Sequence, residues 1–505
     1  MKGLTKMKRR SGVLLPITAL PNSYGIGSFG QSAYMFVDFL VETGQRFWQI
    51  LPLTTTSYGD SPYQSFSAIA GNTNLIDFEL LEKDGLLDPN DYKGVNYGVR
   101  EDDIDYALLF EVRRPILEQA VQRFSQREDL KNEYMDFENR NESWLTDYAE
   151  FMAIKEHFNN VALQDWPDTE VMLRNTDVLN DYRKQLSQQI FYHKAVQYFF
   201  FKQWNQLKTY ANERSIQIIG DMPIYVAVDS VEVWTKPQLF QLDEHRRPLC
   251  VAGVPADEFS SDGQLWGNPL YDWAEHERTG YSWWIYRIHE GLKLYDCLRM
   301  DHFKGFSDYW HVPGDAQYAR EGHWVPGPGY ELFKAVKEAL GDLPIIAENL
   351  GNIDEKTRQL LMDCGYPGMK VLQMGFNDLQ GKSLDIPHRF VPHSIAYVGT
   401  HDNAVANEWY ENLDQEHKEY VDSYIHRSSD EPISKAAIRT IFASVSDIAI
   451  VTMQDLLDLG KESRMNFPST VGNNWRWRLK QGQITEEVKE YLLNITRLYD
   501  RENRG

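Results

Sequence analysis

Short apolar runs of β type alternate along the chain with longer segments whose apolar residues recur at helical spacing. The strand-like runs fall at 12–17, 46–51, 216–221, 296–301, 344–348, 369–372, 395–399 and 448–453. Helical patterns stand between most of them, as at 31–43, 330–340, 354–364 and 434–443. Eight strands alternating with helices predict an α/β fold, with parallel strands closed into a (β/α)8 TIM barrel. An open doubly wound sheet is the alternative, but no GxGxxG follows an early strand, so a dinucleotide site lacks its fingerprint.

The spacing is uneven. Residues 79–215 carry strongly helical runs at 108–124, 144–159 and 181–213. One βα connection does not need so much chain. The stretch predicts a largely helical insertion between strands two and three of a single catalytic barrel domain spanning 1–505. A second excursion, 229–273, is rich in Pro, Gly and Trp and predicts a loop-rich insertion between strands three and four. Residues 486–505 predict a terminal helix with a frayed end.

Composition narrows the partners. The chain has 505 residues and a net charge of −22, from 52 Lys plus Arg against 74 Asp plus Glu. Such acidity repels phosphate backbones and argues against nucleic acid. Aromatics make up 13%, with 14 Trp and 28 Tyr; they suit apolar platforms for sugar rings, and equally a large core. Cys250, Cys297 and Cys364 stand far apart, which argues against a disulfide framework or a cysteine zinc site and suits a reducing compartment. The start, MKGLTKMKRRSGVLLPITALP, superficially resembles a signal peptide. Its apolar run is short and Pro16 interrupts it, so it reads as a disordered start leading into a strand. No apolar run approaches the ~18–20 residues that span a membrane. A soluble, cytoplasmic protein with no membrane partner is expected.

The apolar runs end in polar residues. Strand three, IQIIGD, ends at Asp221. Strand four, DCLRMD, ends at Arg299 and Asp301, followed by His302. Strand five, PIIAE, ends at Glu348. Strand seven, IAYVG, runs into Thr400, His401 and Asp402. In a barrel these ends share one rim, where active sites form. Each residue has a plainer explanation: Asp402–Asn403 or Glu348–Asn349 could cap a following helix, and Arg299–Asp301 could be a structural ion pair. Four strands ending this way in succession are harder to explain so. Clustered carboxylates serve metal binding, phosphoryl transfer or glycoside cleavage. HExxH and phosphate-cradling glycine loops are absent. Glycoside cleavage needs one carboxylate nucleophile and one carboxylic acid, and this set fits it best.

RMDHFKG, AENLG and GTHDN, in this order, resemble the conserved regions of the α-amylase superfamily, and GDMPIYVA resembles its first. SGVLLPITALPNSYGIGSFG, SPYQSFSAIAGN, AGVPADEFSSDGQLWGNPLYDW and FPSTVGNNWRWR closely resemble the 4-α-glucanotransferases (amylomaltases), from about Ser11 to the end. The resemblance implies retaining transfer of α-1,4-glucan segments to the 4-hydroxyl of another glucan or glucose. Asp301 matches the nucleophile, Glu348 the acid/base and Asp402 the third carboxylate. Arg299 and His401 match residues that contact the nucleophile and the same sugar. Asp221 matches a further sugar or structural contact, and Tyr63 an aromatic platform. Gln264 and Trp266 match acceptor-side loop residues. The resemblance implies no metal or organic cofactor, and maltooligosaccharides and other α-1,4-glucans as partners. It leaves chain-length preference, cyclisation and oligomeric state open.

Met300 stands where the family usually has Ile and is expected to point away from the site; AGNTN replaces AGNP after the Tyr63 segment. Residues 251–268 and 459–474 are candidate lids. Arg299, on the same strand as Asp301, is expected to favour that carboxylate, leaving Glu348 protonated. An α-glucan hydrolase with the same carboxylates remains the alternative, and a non-catalytic glucan-binding protein would have lost one of them.

Overall fold

The computed structural model describes residues 9–256, 262–351 and 353–503. The expected disordered start, the 257–261 part of one candidate lid and the last two residues lie outside the described residues. The strands, in chain order, are β1 (Arg10–Leu14), β2 (Phe47–Gln49), β3 (Gln217–Met222), β4 (Cys250–Val254), β5 (Gln264–Pro269), β6 (Cys297–Met300), β7 (Asp308–Pro313), β8 (His323–Pro326), β9 (Ile345–Ala347), β10 (Gly368–Val371), β11 (Ser394–Tyr397) and β12 (Ile448–Thr452). Eight of them close a barrel in the order β1-β12-β11-β10-β9-β6-β3-β2. Every pairing within it is parallel. Each corresponds to one of the eight apolar runs, so the fold is the (β/α)8 barrel and not the open sheet.

Side chains alternate across each strand. Inward positions such as Leu14, Ile219, Cys297, Ile346, Tyr397 and Ile450 fill the barrel. Outward positions such as Ile218, Leu298 and Val451 join the larger layer beneath the helices. Met300 belongs to that outer layer, as expected. Within the barrel the Tyr397 hydroxyl donates to Gln49 Oε1 at 2.8 Å, so the one phenol in this core is satisfied.

The stretch between β2 and β3 is mostly helical, with long helices at Tyr106–Phe124, Glu142–His157 and Ser187–Glu213. The helical pattern at 181–213 divides at Leu186 (φ −103°, ψ 20°) into Thr176–Gln185 and Ser187–Glu213. The second piece packs along helix Gln31–Glu42 and β3. It therefore fills the place of the β2–β3 crossover helix.

The 229–273 excursion differs from expectation. It is not loop throughout: it carries β4 and β5, which join β7 and β8 in an antiparallel sheet ordered β5-β4-β7-β8. Half of this sheet comes from beyond Asp301, so the layer cannot be confined to one insertion. The AGNTN turn is closed by Asn72, whose side chain accepts from Asn74 N at 3.0 Å and caps the 3-10 turn Thr73–Leu75.

Gly220 shows how tightly β3 is covered. A Cβ there would lie 2.1 Å from the Tyr295 ring. Tyr295 in turn accepts from Leu53 N at 3.0 Å, at the start of the segment that leads to Tyr63. Gly220→Ala must displace that ring, at a cost of about 1–3 kcal/mol typical of overpacking. Its urea midpoint should fall with the slope unchanged; an unshifted midpoint would mean that β3 and Tyr295 separate freely.

Candidate active site

The barrel register sets the site. β3 and β6 pair with Asp221 beside Arg299, and β6 pairs with β9 so that Met300 lies beside Ala347. Three neighbouring strands thus deliver Asp221, Arg299, Asp301 and Glu348 to the same rim. Arg299 is 1% exposed. Its Nη1 donates to Asp221 Oδ2 at 2.5 Å and to Asp301 Oδ1 at 3.2 Å. Its Nη2 lies 3.4 Å from Glu348 Oε1. The expectation that Arg299 favours Asp301 is not met: its strongest contact is Asp221, and it reaches the other two carboxyls almost equally.

The chain after Asp301 folds back on Glu348. His302 takes a left-handed φ of 44°, and its N–H donates to Glu348 Oε2 at 2.5 Å. Main-chain bonds lock the same corner: Glu348 N donates to Met300 O at 3.0 Å, and Phe303 N to Glu348 O at 3.0 Å.

On the opposite wall, the Tyr63 hydroxyl donates to Asp221 Oδ2 at 2.9 Å and meets His401 Nε2 at 2.7 Å. The two rings stack with centroids 5.6 Å apart. His401 Nε2 also lies 3.2 Å from Asp402 Oδ2. Neighbouring asparagines perform the structural work that sequence could have assigned to the carboxylates. Asn403 Oδ1 accepts from Thr400 N at 2.9 Å, and Asn349 Oδ1 from Met369 N at 2.7 Å. Asp402 and Glu348 are thereby left for the cleft.

Two further residues meet this group that no role was assigned from sequence. Asn466 Nδ2 donates to Asp402 Oδ1 at 2.7 Å. Trp475, at a left-handed φ of 64°, sets its ring 5.7 Å from Tyr63 and 6.0 Å from His401. Both lie in or beside the 459–474 segment singled out as a lid. Its aromatic content was a signal; the side chain that reaches Asp402 was not identifiable. Gln264 and Trp266 sit on β5 and not on a loop. Trp266 stands edge-on to His302 at 4.9 Å, and its Nε1 donates to Gln264 Oε1 at 3.2 Å. Gln64 Nε2 holds the strand at Trp266 O (3.3 Å) and Asn268 Oδ1 (3.0 Å). All nine expected site residues are therefore connected through one network of contacts.

The electrostatics divide the carboxylates. Burial and the neighbouring Glu348 charge push Asp301 well above the usual range, against Arg299. Burial also raises Asp221, opposed by Arg299 and His401. Asp402 goes the other way: burial alone would raise it, but His401 and the Asn466 amide hold it well below its ordinary value. One firmly ionised carboxylate, Asp402, thus stands beside two, Asp221 and Asp301, whose charged forms burial disfavours. Among the described residues, no group of three or more His, Cys, Asp and Glu side chains is arranged to hold a metal ion, and no helix is long and apolar enough to cross a membrane.

A carboxyl raised in the folded state destabilises the fold once ionised. The penalty is absent below the unfolded value near ~3.9 and grows as pH rises through it. Asp301→Asn removes that penalty. At pH 7 the variant should melt above the wild type, by the equivalent of about 0.5–2 kcal/mol. The gap should close as pH falls below about 4. A variant less stable than wild type at pH 7 would mean that the Arg299 contact outweighs burial.

A family model described as 4-alpha-glucanotransferase matches residues 15–485. The 4-alpha-glucanotransferase of Streptococcus pneumoniae serotype 4 is 52% identical over 499 residues, covering 99% of this chain and 98% of the relative. That of Clostridium butyricum is 44% identical over 487 residues, covering 96% and 99%. The structure of an amylomaltase from Streptococcus agalactiae in complex with acarbose superposes with a TM-score of 0.97 at 57% identity, covering 98% of this chain and 100% of that one. The amylomaltase of Corynebacterium glutamicum, at 18% identity and a TM-score of 0.75, covers 98% and 75% and shares the fold. With the barrel in place and the match running through every strand after the first, the chain belongs to the 4-alpha-glucanotransferase family.

Proposed function

We propose that Asp301 and Glu348 carry out the family's transfer by double displacement on α-1,4-glucans, with Asp402, His401, Tyr63, Arg299 and Asp221 shaping the cleavage subsite and Gln264 and Trp266 serving the acceptor. The observation that carries this reading is the single guanidinium of Arg299 against both carboxyls at adjacent strand ends. In the first step Asp301 attacks the anomeric carbon while Glu348 protonates the departing 4-oxygen, leaving a glucosyl ester. In the second, Glu348 takes the proton of an incoming 4-hydroxyl, whose oxygen displaces Asp301. Two inversions give retention.

Positive charge growing at the anomeric carbon beside Asp301 favours the ionised form of that carboxyl, the form that attacks. Asp402, held ionised, presents fixed acceptors to sugar hydroxyls. Tyr63, whose phenol burial and the Asp221 charge keep neutral, adds an apolar face. Transfer over hydrolysis needs an acceptor held in place against water at ~55 M, a proximity effect; Trp266, packed on His302 immediately after the nucleophile, is suitably placed. Three free cysteines, two of them buried, support a cytoplasmic location within the same reading.

Maltotriose tests the function. A transferase produces a ladder of longer oligomers with glucose; a hydrolase produces glucose and maltose alone. In the same assay Trp266→Ala should raise the ratio of hydrolysis to transfer more than it lowers donor consumption, and an unchanged ratio would remove Trp266 from the acceptor site.

Glu348→Gln takes away the acid. Formation of the glucosyl-enzyme from an activated aryl glucoside should survive within about tenfold, while donors with poor leaving groups lose about 10²–10⁴-fold. Equal slowing of both donor types in the first step would transfer the acid role to another carboxyl.

A further inference from the structure

The connection that carries Asp402 and the segment that covers it are joined by three rungs. β11 runs into Asp402, and the chain continues as the helix Ala406–Asn412. Asn407, on that helix, donates from Nδ2 to Asp458 Oδ1 at 2.9 Å and to Leu459 O at 3.1 Å. Glu408 Oε1 accepts from Arg464 Nη1 at 3.2 Å. Asp402 Oδ1 accepts from Asn466 Nδ2 at 2.7 Å. The start of the helix is itself anchored, because Asp455 Oδ1 accepts from Ala406 N at 2.7 Å.

The middle rung differs from an open surface ion pair. The side chains of Arg464 and Glu408 are 17% and 12% exposed, so water and salt screen them less. Glu408 Oε2 is buried with no hydrogen-bond partner among the described residues, so the carboxylate is compensated chiefly through Arg464. Arg464 does more than balance that charge. Its Nε donates to Asn466 O at 2.9 Å, and its guanidinium lies 4.2 Å from the Phe467 ring centroid. One planar fork thus grips a carboxylate on the Asp402 side and main chain on the other. Trp475 N fixes the neighbouring Met465 O at 2.7 Å. Beyond Asn466 the chain is exposed from 467 to 473. Asn466 therefore stands where a held base meets an open tip, and Arg464 orients its peptide.

We propose that Arg464 is a positioning residue for glucan transfer: it presents Asn466 to Asp402, and Glu408 holds the guanidinium in that role. This rests on the part given above to Asp402 in the cleavage subsite. Asp402 has one oxygen on Asn466 and the other 3.2 Å from His401 Nε2. Partners on both oxygens fix the rotation of the carboxylate as well as its charge. Freed on one side, Asp402 still meets a bound sugar but holds its hydroxyls less well in the transition state, where such bonds strengthen. The loss therefore falls on kcat and not on KM.

The test is a double-mutant cycle on maltotriose disproportionation. Arg464→Met and Asn466→Ala should each lower kcat about tenfold, with KM within about twofold. The double variant should be no more than about twofold slower than either single, since both act through one contact. Arg464→Lys keeps a cation for Glu408 but not the fork, so it should melt near the wild type and still lose rate; it takes the place of Arg464→Met in the cycle if the latter does not fold. In crystals of Arg464→Lys, Asn466 Nδ2 should stand beyond hydrogen-bond distance of Asp402 Oδ1. Losses that multiply in the double variant overturn the proposal. So does a wild-type rate in Arg464→Lys, or an unchanged Asn466–Asp402 bond in its crystal, since Arg464 would then only balance the charge of Glu408. Full activity of Asp402→Asn would instead strike the subsite reading itself.

Discussion

A guanidinium removed from water among carboxylates is the constraint around which the rim is organised. Arg299 could not be buried alone, because an uncompensated charge in such surroundings is costly. Asp221, Asp301, Glu348 and the Tyr63 phenol all favour its charged form against the burial that opposes it. The dependence runs both ways. Without the cation, three acidic groups would face one another at the ends of adjacent strands. Breaking a buried pair typically costs about 3–5 kcal/mol, and here one deletion would leave several groups uncompensated. Asp221, whose side chain is fully buried, is the anchor of this arrangement: it takes the shortest Arg299 contact, while the same Nη1 also reaches Asp301 and Nη2 faces Glu348.

Much of this was legible in the chain. Barrel strands buried on both faces read as continuous apolar runs, and each catalytic candidate stood at the point where such a run stopped. What was not legible depended on pairing across sequence. β8 has four residues, and nothing local marks His323–Pro326 as a partner of residues near 310. The accessory sheet therefore read as loop on one side of Asp301 and as nothing distinct on the other. The break at Leu186 was hidden because the flanking residues continue the helical pattern. Similarly, shared strand position suggested that Arg299 would serve Asp301, whereas the inter-strand register gave it first to Asp221.

The cleft is assembled from distant pieces with unequal freedom. Strand-end residues are fixed by the barrel ladder. Tyr63 is held indirectly, through Tyr295 and Leu53 and through its own bonds to Asp221 and His401. Asn466 and Trp475 arrive on a segment held by fewer regular bonds, where Asn474 closes the turn by accepting from Phe467 N at 3.0 Å. A site that must exchange one polymer for another benefits from that gradient: rigid where charge is arranged, looser where chains enter and leave.

The left-handed turn at His302 ties Asp301 and Glu348 together by main chain. The N–H that fixes Glu348 belongs to the residue following Asp301, so the backbone beside one carboxyl positions the other. No side-chain replacement at 302 deletes that donor except proline, which has no N–H and cannot take a positive φ. Position 302 can thus change the side chain that meets Trp266 while its N–H still holds Glu348. The packing of β5 and the alignment of the Glu348 carboxyl are in this way carried by different atoms of one residue, and can diverge separately over evolutionary time.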